Sequence, residues 1–161
     1  DGRILDKDLL LTHPSIEASY RRARLREGDV LLTIRGTTGR VAVVPPQLQG
    51  ANITQDTARI RLKRDHTSHY FYFALQSREV QDQILLHTLG QAVKGINIAE
   101  VKRLKVKVPH KGEQEVLAER LSEMDSAIHH LDSELAKLKL LKRGLTEDLL
   151  TGRVRVVSDN G

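Results

Sequence analysis

The stretch LAERLSEMDSAIHHLDSELAKLKLLKRGLTEDLL, residues 117–150, decides the architecture. Leu117, Leu121, Met124, Ile128, Leu131, Leu135, Leu138, Lys142, Leu145 and Leu149 follow one another at alternating steps of four and three. Nine of those ten positions are apolar, so a seam repeats every seven residues over more than four heptads, the period of a helix that pairs with another helix. No Pro interrupts residues 112–151, and Gly152 stands where a C-terminal helix stop is expected. At about 1.5 Å per residue the helix would span roughly 57 Å, about one and a half turns of B-DNA at roughly 34–36 Å per turn. Such a helix is too long to fold back into a small domain, so its seam calls for a partner.

Charge is unevenly spread along this helix. Residues 112–134 carry seven acidic groups and one basic, a net of −6; residues 135–155 carry six basic and two acidic, a net of +4. Two copies laid antiparallel bring acidic halves against basic ones, with helix dipoles opposed favourably. Acids near a helix start and bases near its end also complement the dipole of a single helix, and both effects can operate together. An antiparallel pair would place Lys142, the one charged seam residue, opposite the partner's acidic half. It would also carry the two preceding bodies to opposite ends.

Outside the helix the balance reverses. Residues 1–111 hold 19 Lys and Arg against 11 Asp and Glu, net +8, whereas residues 112–161 hold 7 against 10, net −3. A basic body joined to an acidic extension points to a polyanion for the body and another partner for the extension. With no Cys, disulfides and thiolate metal sites are excluded. No apolar run is long enough to span a bilayer and no basic-then-apolar leader opens the chain, so a soluble, cytoplasmic protein is expected.

Working back through the body, Ser15 to Arg24 reads as one or two helical turns after Pro14. Gly28-Asp29 is a turn, followed by a β-rich run from Val30 to Arg35, the turn Gly36-Thr37-Thr38-Gly39, and a second strand from Arg40 to Val44, together a hairpin. Thr57 to Lys63 alternates: Ala58, Ile60 and Leu62 face one way, Arg59, Arg61 and Lys63 the other. Thr67 or Ser68 is placed to cap a helix through Tyr70-Phe71-Tyr72-Phe73-Ala74-Leu75, which holds four of the five aromatics and is expected to anchor the core. A further helix runs from Ser77 to near Gly90, and Arg103 to Val108 alternates again as a strand closed by Pro109.

The ordered set of these pieces resembles the specificity subunits of type I restriction-modification systems. It comprises Gly28-Asp29-Val30-Leu31-Leu32, the turn at residues 36–39, the aromatic-rich helix, and Gly90-Gln91-Ala92 with Gly95-Ile96-Asn97-Ile98. Val106-Lys107-Val108-Pro109, Glu113-Gln114 and the closing Leu149-Leu150-Thr151-Gly152-Arg153-Val154 complete it. The resemblance covers nearly the whole chain from Gly28 onward. It implies a target-recognition domain that reads half of a bipartite DNA site, with modification and restriction subunits docking nearby. A complete subunit of that family has two such domains and two helices paired antiparallel as a spacer. One domain and one helix are present here, and the first strands of the recognition domain look to be missing. Two readings follow, a half-subunit that dimerises or a piece of a longer chain.

Residue chemistry nominates the DNA contacts. Arg35, Thr37, Thr38 and Arg40 sit in or beside the Gly-bounded turn, where backbone amides and guanidinium groups can meet phosphates. Asn52 and Gln55 in one loop, and the loop from Gln91 to Asn97 with Lys94 and Asn97, carry groups able to pair with adenine or phosphate. Arg59 and Arg61 form a basic stripe. Each has a plain structural counterpart: a hairpin turn, a solvated face, and Asn97 as the cap of the turn after it. The turn lacks the Gly-Lys-Ser/Thr ending of a nucleotide loop. His66 with His69, and His129 with His130, lack a third ligand at metal-site spacing. Pro45-Pro46 is followed by Gln47 rather than the aromatic of an amino-methyltransferase motif, and no catalytic set stands out.

The expectation is therefore an α+β chain. Residues 1–111 form a small mixed or antiparallel β-rich target-recognition domain with helices, residues 112–152 a coiled-coil helix, and residues 153–161 a tail. It binds double-stranded DNA and carries no catalytic residue, metal or cofactor. Its helix pairs antiparallel with a second copy or the matching helix of a missing half. A dimerising coiled-coil adaptor with an incidentally basic body is the competing reading.

Overall fold

Val30–Thr33 forms β1, the middle strand of a three-stranded antiparallel sheet. On one side β2 (Val41–Val43) sets Val43 opposite Val30 and Val41 opposite Leu32. On the other, β3 (Thr57–Ile60) sets Ile60 opposite Val30 and Thr57 opposite Thr33. The structure, a computed structural model, describes residues 2, 4, 9–88 and 95–155. Two units divide the chain, Asp1–Glu119 and Arg120–Gly161.

Alternation along β1 gives the sheet two apolar faces. Val30 and Leu32 are wholly buried and join Ile34, Val41, Ala58 and Ile96 in the main core. Leu31 faces the other way, against a smaller cluster of Leu25, Val44 and Leu48. The main face is covered by α2 (Ser68–Gln76) and α3 (Arg78–Thr88), through Tyr72 and Leu75 of the first and Val80 and Ile84 of the second. The aromatic tetrapeptide therefore anchors the core, with Phe71 and Phe73 packed at its margin. Tyr70 is buried too, and its hydroxyl donates to the Lys107 carbonyl at 2.6 Å.

Two glycines are needed where they stand. Gly39 has φ +93°, and a Cβ there would lie 2.6 Å from Gln81 Oε1, whose amide nitrogen donates to the Gly39 carbonyl and ties the hairpin turn to α3. Gly95 bridges to Arg35, and a Cβ there would meet the Ile34 carbonyl at 2.6 Å.

The strand expected over Arg103–Val108 does not form. Arg103 lies in a turn, residues 104–108 take no regular secondary structure, and the segment pairs with no strand among the described residues. Its alternation has another cause: Leu104 and Val106 pack against the core, while a Gln83 side chain substitutes for a ladder. Gln83 Oε1 accepts from the Lys105 amide at 2.9 Å and its Nε2 donates to the Lys105 carbonyl at 3.0 Å. Thr67 takes the cap position of α2, yet its hydroxyl makes no cap bond; its amide donates instead to Gln114 Oε1 at 3.0 Å. At the N-terminal side, α1 (Pro14–Ser19) begins on Pro14 and a 3-10 turn follows over Arg21–Ala23. Short helix α4 spans Ile98–Val101.

The long helix, α5, runs Lys111–Leu150, 40 residues and about 60 Å. Its first turns belong to the Asp1–Glu119 unit and bury Gln114 and Ala118. Gln114 is 1% exposed, and its Nε2 also donates to the Pro109 carbonyl at 2.8 Å, so both polar atoms of its side chain have a partner. In the Arg120–Gly161 unit the apolar seam side chains from Leu121 to Leu149 remain 38–63% exposed. The expected stop is present: Gly152 takes φ +73° and its amide reaches the Leu149 carbonyl at 3.3 Å.

One buried carboxylate holds the second face of the sheet. Asp29 is 3% exposed and accepts both forks of Arg61, at 2.8 and 2.6 Å, together with the Arg26 amide at 2.8 Å. Arg59 adds its charge at 3.9 Å. Burial pushes the Asp29 carboxyl up, but the Arg61 bonds, the Arg26 amide and the two arginine charges outweigh it and hold it below the ordinary range.

Because the folded carboxyl is the stronger acid, its contribution is present above the unfolded value of about 3.9 and fades as pH falls through the folded value. Asp29→Asn should lower stability near neutral pH by about 2 kcal/mol, the worth of a charge-assisted bond, and flatten the loss of stability below about pH 4. Urea unfolding followed from acid to neutral pH reads both. In α5, Gly144 lies one residue off the seam and a Cβ there meets nothing within 4 Å. Gly144→Ala should stabilise the helix by about 0.8–1 kcal/mol, measured as a rise in the thermal midpoint of the helical circular-dichroism signal.

Candidate nucleic-acid interface

Two sets of basic groups stand out in the Asp1–Glu119 unit. The first lies on the Leu31 face of the sheet. Register sets Arg59 opposite Leu31, so it projects on that face, and Arg61 follows two residues on. The Arg21–Ala23 turn and the segment after it add Arg21, Arg22, Arg24 and Arg26. These six line an open cleft of ≈ 720 Å³, in which Glu27 is the one acidic side chain among the described residues.

Internal acids fix part of this array. Glu17 of α1 grips Arg24 by both carboxylate oxygens, with Nη2 to Oε2 at 2.6 Å, and Arg24 in turn holds that carboxyl below its usual range. The Arg24 carbonyl accepts from Arg59, and Arg61 Nη2 lies 3.4 Å from the same oxygen. Arg61 is then oriented by Asp29, whose bonds raise the guanidinium further above its ordinary value. Among the described residues, Arg21, Arg22 and Arg26 form no salt bridge. The result is a set of guanidinium forks, part braced and part open, with the geometry that pairs with phosphate oxygens.

The second set is the hairpin turn. Thr33 organises it: its amide donates to the Arg40 carbonyl at 2.9 Å, and its hydroxyl donates to the Thr37 carbonyl while accepting from the Arg40 amide. Arg35 and Arg40 are exposed, and Arg35 Nη1 sits a loose 3.8 Å from Asp56 Oδ1. Thr37 is exposed; Thr38 is half-buried, and its hydroxyl has no partner among the described residues. Gln55 is exposed just before β3. The Arg35–Gly95 bridge brings this turn beside Gly95–Asn97.

The residues nominated from sequence thus separate. Arg59 and Arg61 line the cleft, whereas Arg35, Thr37, Thr38 and Arg40 do not. Asn52 pairs its backbone with Arg24 and turns its amide toward Glu17 at 3.5 Å, and its buried side-chain oxygen has no partner among the described residues. Asn97 caps α4 by accepting the Glu100 amide at 2.9 Å, so its side-chain oxygen is already engaged. Lys94 and the Gly90-Gln91-Ala92 element lie outside the described residues. Sequence reasoning passed over Arg21, Arg22, Arg24 and Arg26. The signal was four arginines within the six residues 21–26, too short a run to show a period.

Comparison with known proteins places this arrangement. A family model described as "Type I restriction modification DNA specificity domain" matches residues 6–140, through the body and most of the helix. The type I restriction enzyme EcoBI specificity subunit of Escherichia coli is 23% identical over 156 residues, which cover 96% of this chain and 33% of that protein. The type I restriction enzyme MjaVIII specificity subunit of Methanocaldococcus jannaschii is 24% identical over 146 residues, covering 88% and 34%. The crystal structure of the HsdS subunit from Thermoanaerobacter tengcongensis superposes with a TM-score of 0.61 at 17% identity, over 76% of this chain and 32% of that one. A chain from a structure described as the "structural basis underlying complex assembly and conformational transition of the type I R-M system" gives 0.58 at 22% identity, over 84% and 37%. The chain spans about a third of the length of these relatives. On a family match that covers most of its residues, this chain belongs to the type I restriction modification DNA specificity domain family.

Proposed function

We propose that the chain is a non-catalytic, sequence-specific DNA-binding part of a type I restriction-modification specificity subunit. It reads one half of a bipartite site and holds the modification and restriction subunits near it, in the cytoplasm. The reading rests chiefly on one observation: the family match runs without a break through both the arginine-bearing unit and the helix with its exposed seam. Consistent with it, no helix among the described residues is long and apolar enough to cross a membrane. Residues 1–111 are the recognition domain in this reading, 112–152 the spacer and 153–161 a tail. The hairpin turn with Arg35, Thr37, Thr38 and Arg40, and the exposed amide of Gln55, supply contacts to DNA.

The helix supplies the second half of the proposal. Burying each of nine large apolar seam residues favours association by roughly 1.5–3 kcal/mol before ordering entropy is counted, and a seam of this size on a lone helix is seldom left uncovered. The −6 and +4 halves favour an antiparallel partner. In the isolated chain that partner is a second copy; in a longer subunit it is the matching helix.

Selection from a pool of randomised duplexes, using the chain with its cognate modification subunit, should enrich a short defined motif. Failure to enrich any motif would favour the adaptor reading. Replacing Arg35 and Arg40 by Ala should weaken binding and lower the slope of log affinity against log salt by about one unit for each phosphate no longer neutralised. An unchanged slope would show that the turn faces elsewhere. Leu131→Lys with Leu135→Lys should convert the self-paired chain to a monomer in sedimentation equilibrium; an unaltered mass would remove the seam from the interface.

A further inference from the structure

The arginine cleft has a composition that the proposed recognition role does not by itself require. Among the described residues it is lined by six Arg and no Lys. Lysine presents a point charge, whereas a guanidinium offers paired N–H donors that match two oxygens of one phosphate. The six charges are offset by Glu27 in the lining and by Glu17 and Asp29 behind it, which leaves the site three charges positive. The two acids behind the wall act as braces: Asp29 locks Arg61, and Glu17 locks Arg24, whose carbonyl holds Arg59. Arg21, Arg22 and Arg26 complete the rim without a salt bridge among the described residues. Among the described residues no aromatic side chain lines the cleft to stack on a base, and the one large apolar residue there, Leu25, is 5% exposed.

We infer that this cleft is a clamp for the DNA phosphodiester backbone, which anchors the duplex irrespective of sequence while the hairpin turn and amide loops read it. The inference rests on the DNA-recognition reading above and divides its labour. Braced arginines set the position of the strand, and the three open ones close on successive phosphates. Such phosphate pairing fixes register and supplies salt-dependent affinity but carries no base preference.

The test uses the full chain carrying Arg21→Ala, Arg22→Ala and Arg26→Ala together, against fluorescent duplexes of several unrelated sequences over a range of salt. The side chains of these three make no hydrogen bond among the described residues, so the thermal midpoint should match that of the unaltered chain. A control chain carries Arg78→Ala, Lys102→Ala and Lys105→Ala, the same charge removed outside the cleft. With three phosphates no longer neutralised, the log–log salt slope should fall by about 2–3 and binding should weaken roughly tenfold to a hundredfold, equally for every duplex. The control should fall by clearly less. Equal weakening in both triples, or an unchanged slope in the cleft triple, overturns the clamp even where the unaltered chain prefers one sequence. Binding that is clamp-dependent but shows no preference among duplexes upholds the clamp and overturns the recognition reading. An unaltered chain that binds no duplex overturns both.

Discussion

A single buried carboxylate organises the side of the molecule that carries the arginines. Asp29 sits at the start of β1 with 3% of its surface exposed, where a lone charge would be strongly disfavoured. It is tolerated because Arg61 meets it with two bonds, the Arg26 amide with a third and Arg59 with its charge. Those partners come from the segment before β1 and from β3 and its continuation, so satisfying one oxygen pair fastens three pieces of chain together. The same bonds aim guanidinium groups outward from a fixed base. Stability and the geometry of the basic face are one arrangement seen from two sides.

The helix faces a different constraint. Its first turns are satisfied locally, with Gln114 bonded to Thr67 and Pro109, but further along the seam stays open. A 40-residue helix with an apolar stripe is a complete secondary structure and an incomplete tertiary one. In the proposed reading another helix completes it, and the charge halves favour an antiparallel one.

How much of this could be read from sequence depended on range. The helix was legible because a seven-residue period repeats over four heptads, and the hairpin because Gly36 and Gly39 bound two β-rich runs. The facing of the side chains in Thr57–Ile60 followed from alternation, and family resemblance rested on the same local features. Arg103–Val108 misled because partial burial of Leu104 and Val106 against the core imitates the two-residue period of a sheet, with Gln83 taking the ladder's place. The Asp29–Arg61 pair was not legible at all: 32 residues separate its members, and no local pattern links them. Arg21 to Arg26 stood in plain view as a charge run, but only the fold shows that it converges with Arg59 and Arg61.

The central claim is that this arginine face is where the chain meets DNA. Nitrogen-15 spectra of the arginine Nε–H groups, recorded while a duplex is titrated into the labelled chain, test it most directly. Signals of Arg21, Arg22 and Arg26 should shift with added duplex, while that of Arg61, already tied to Asp29, should move little. Shifts confined to residues outside the cleft, or absent at saturating duplex, would contradict the account.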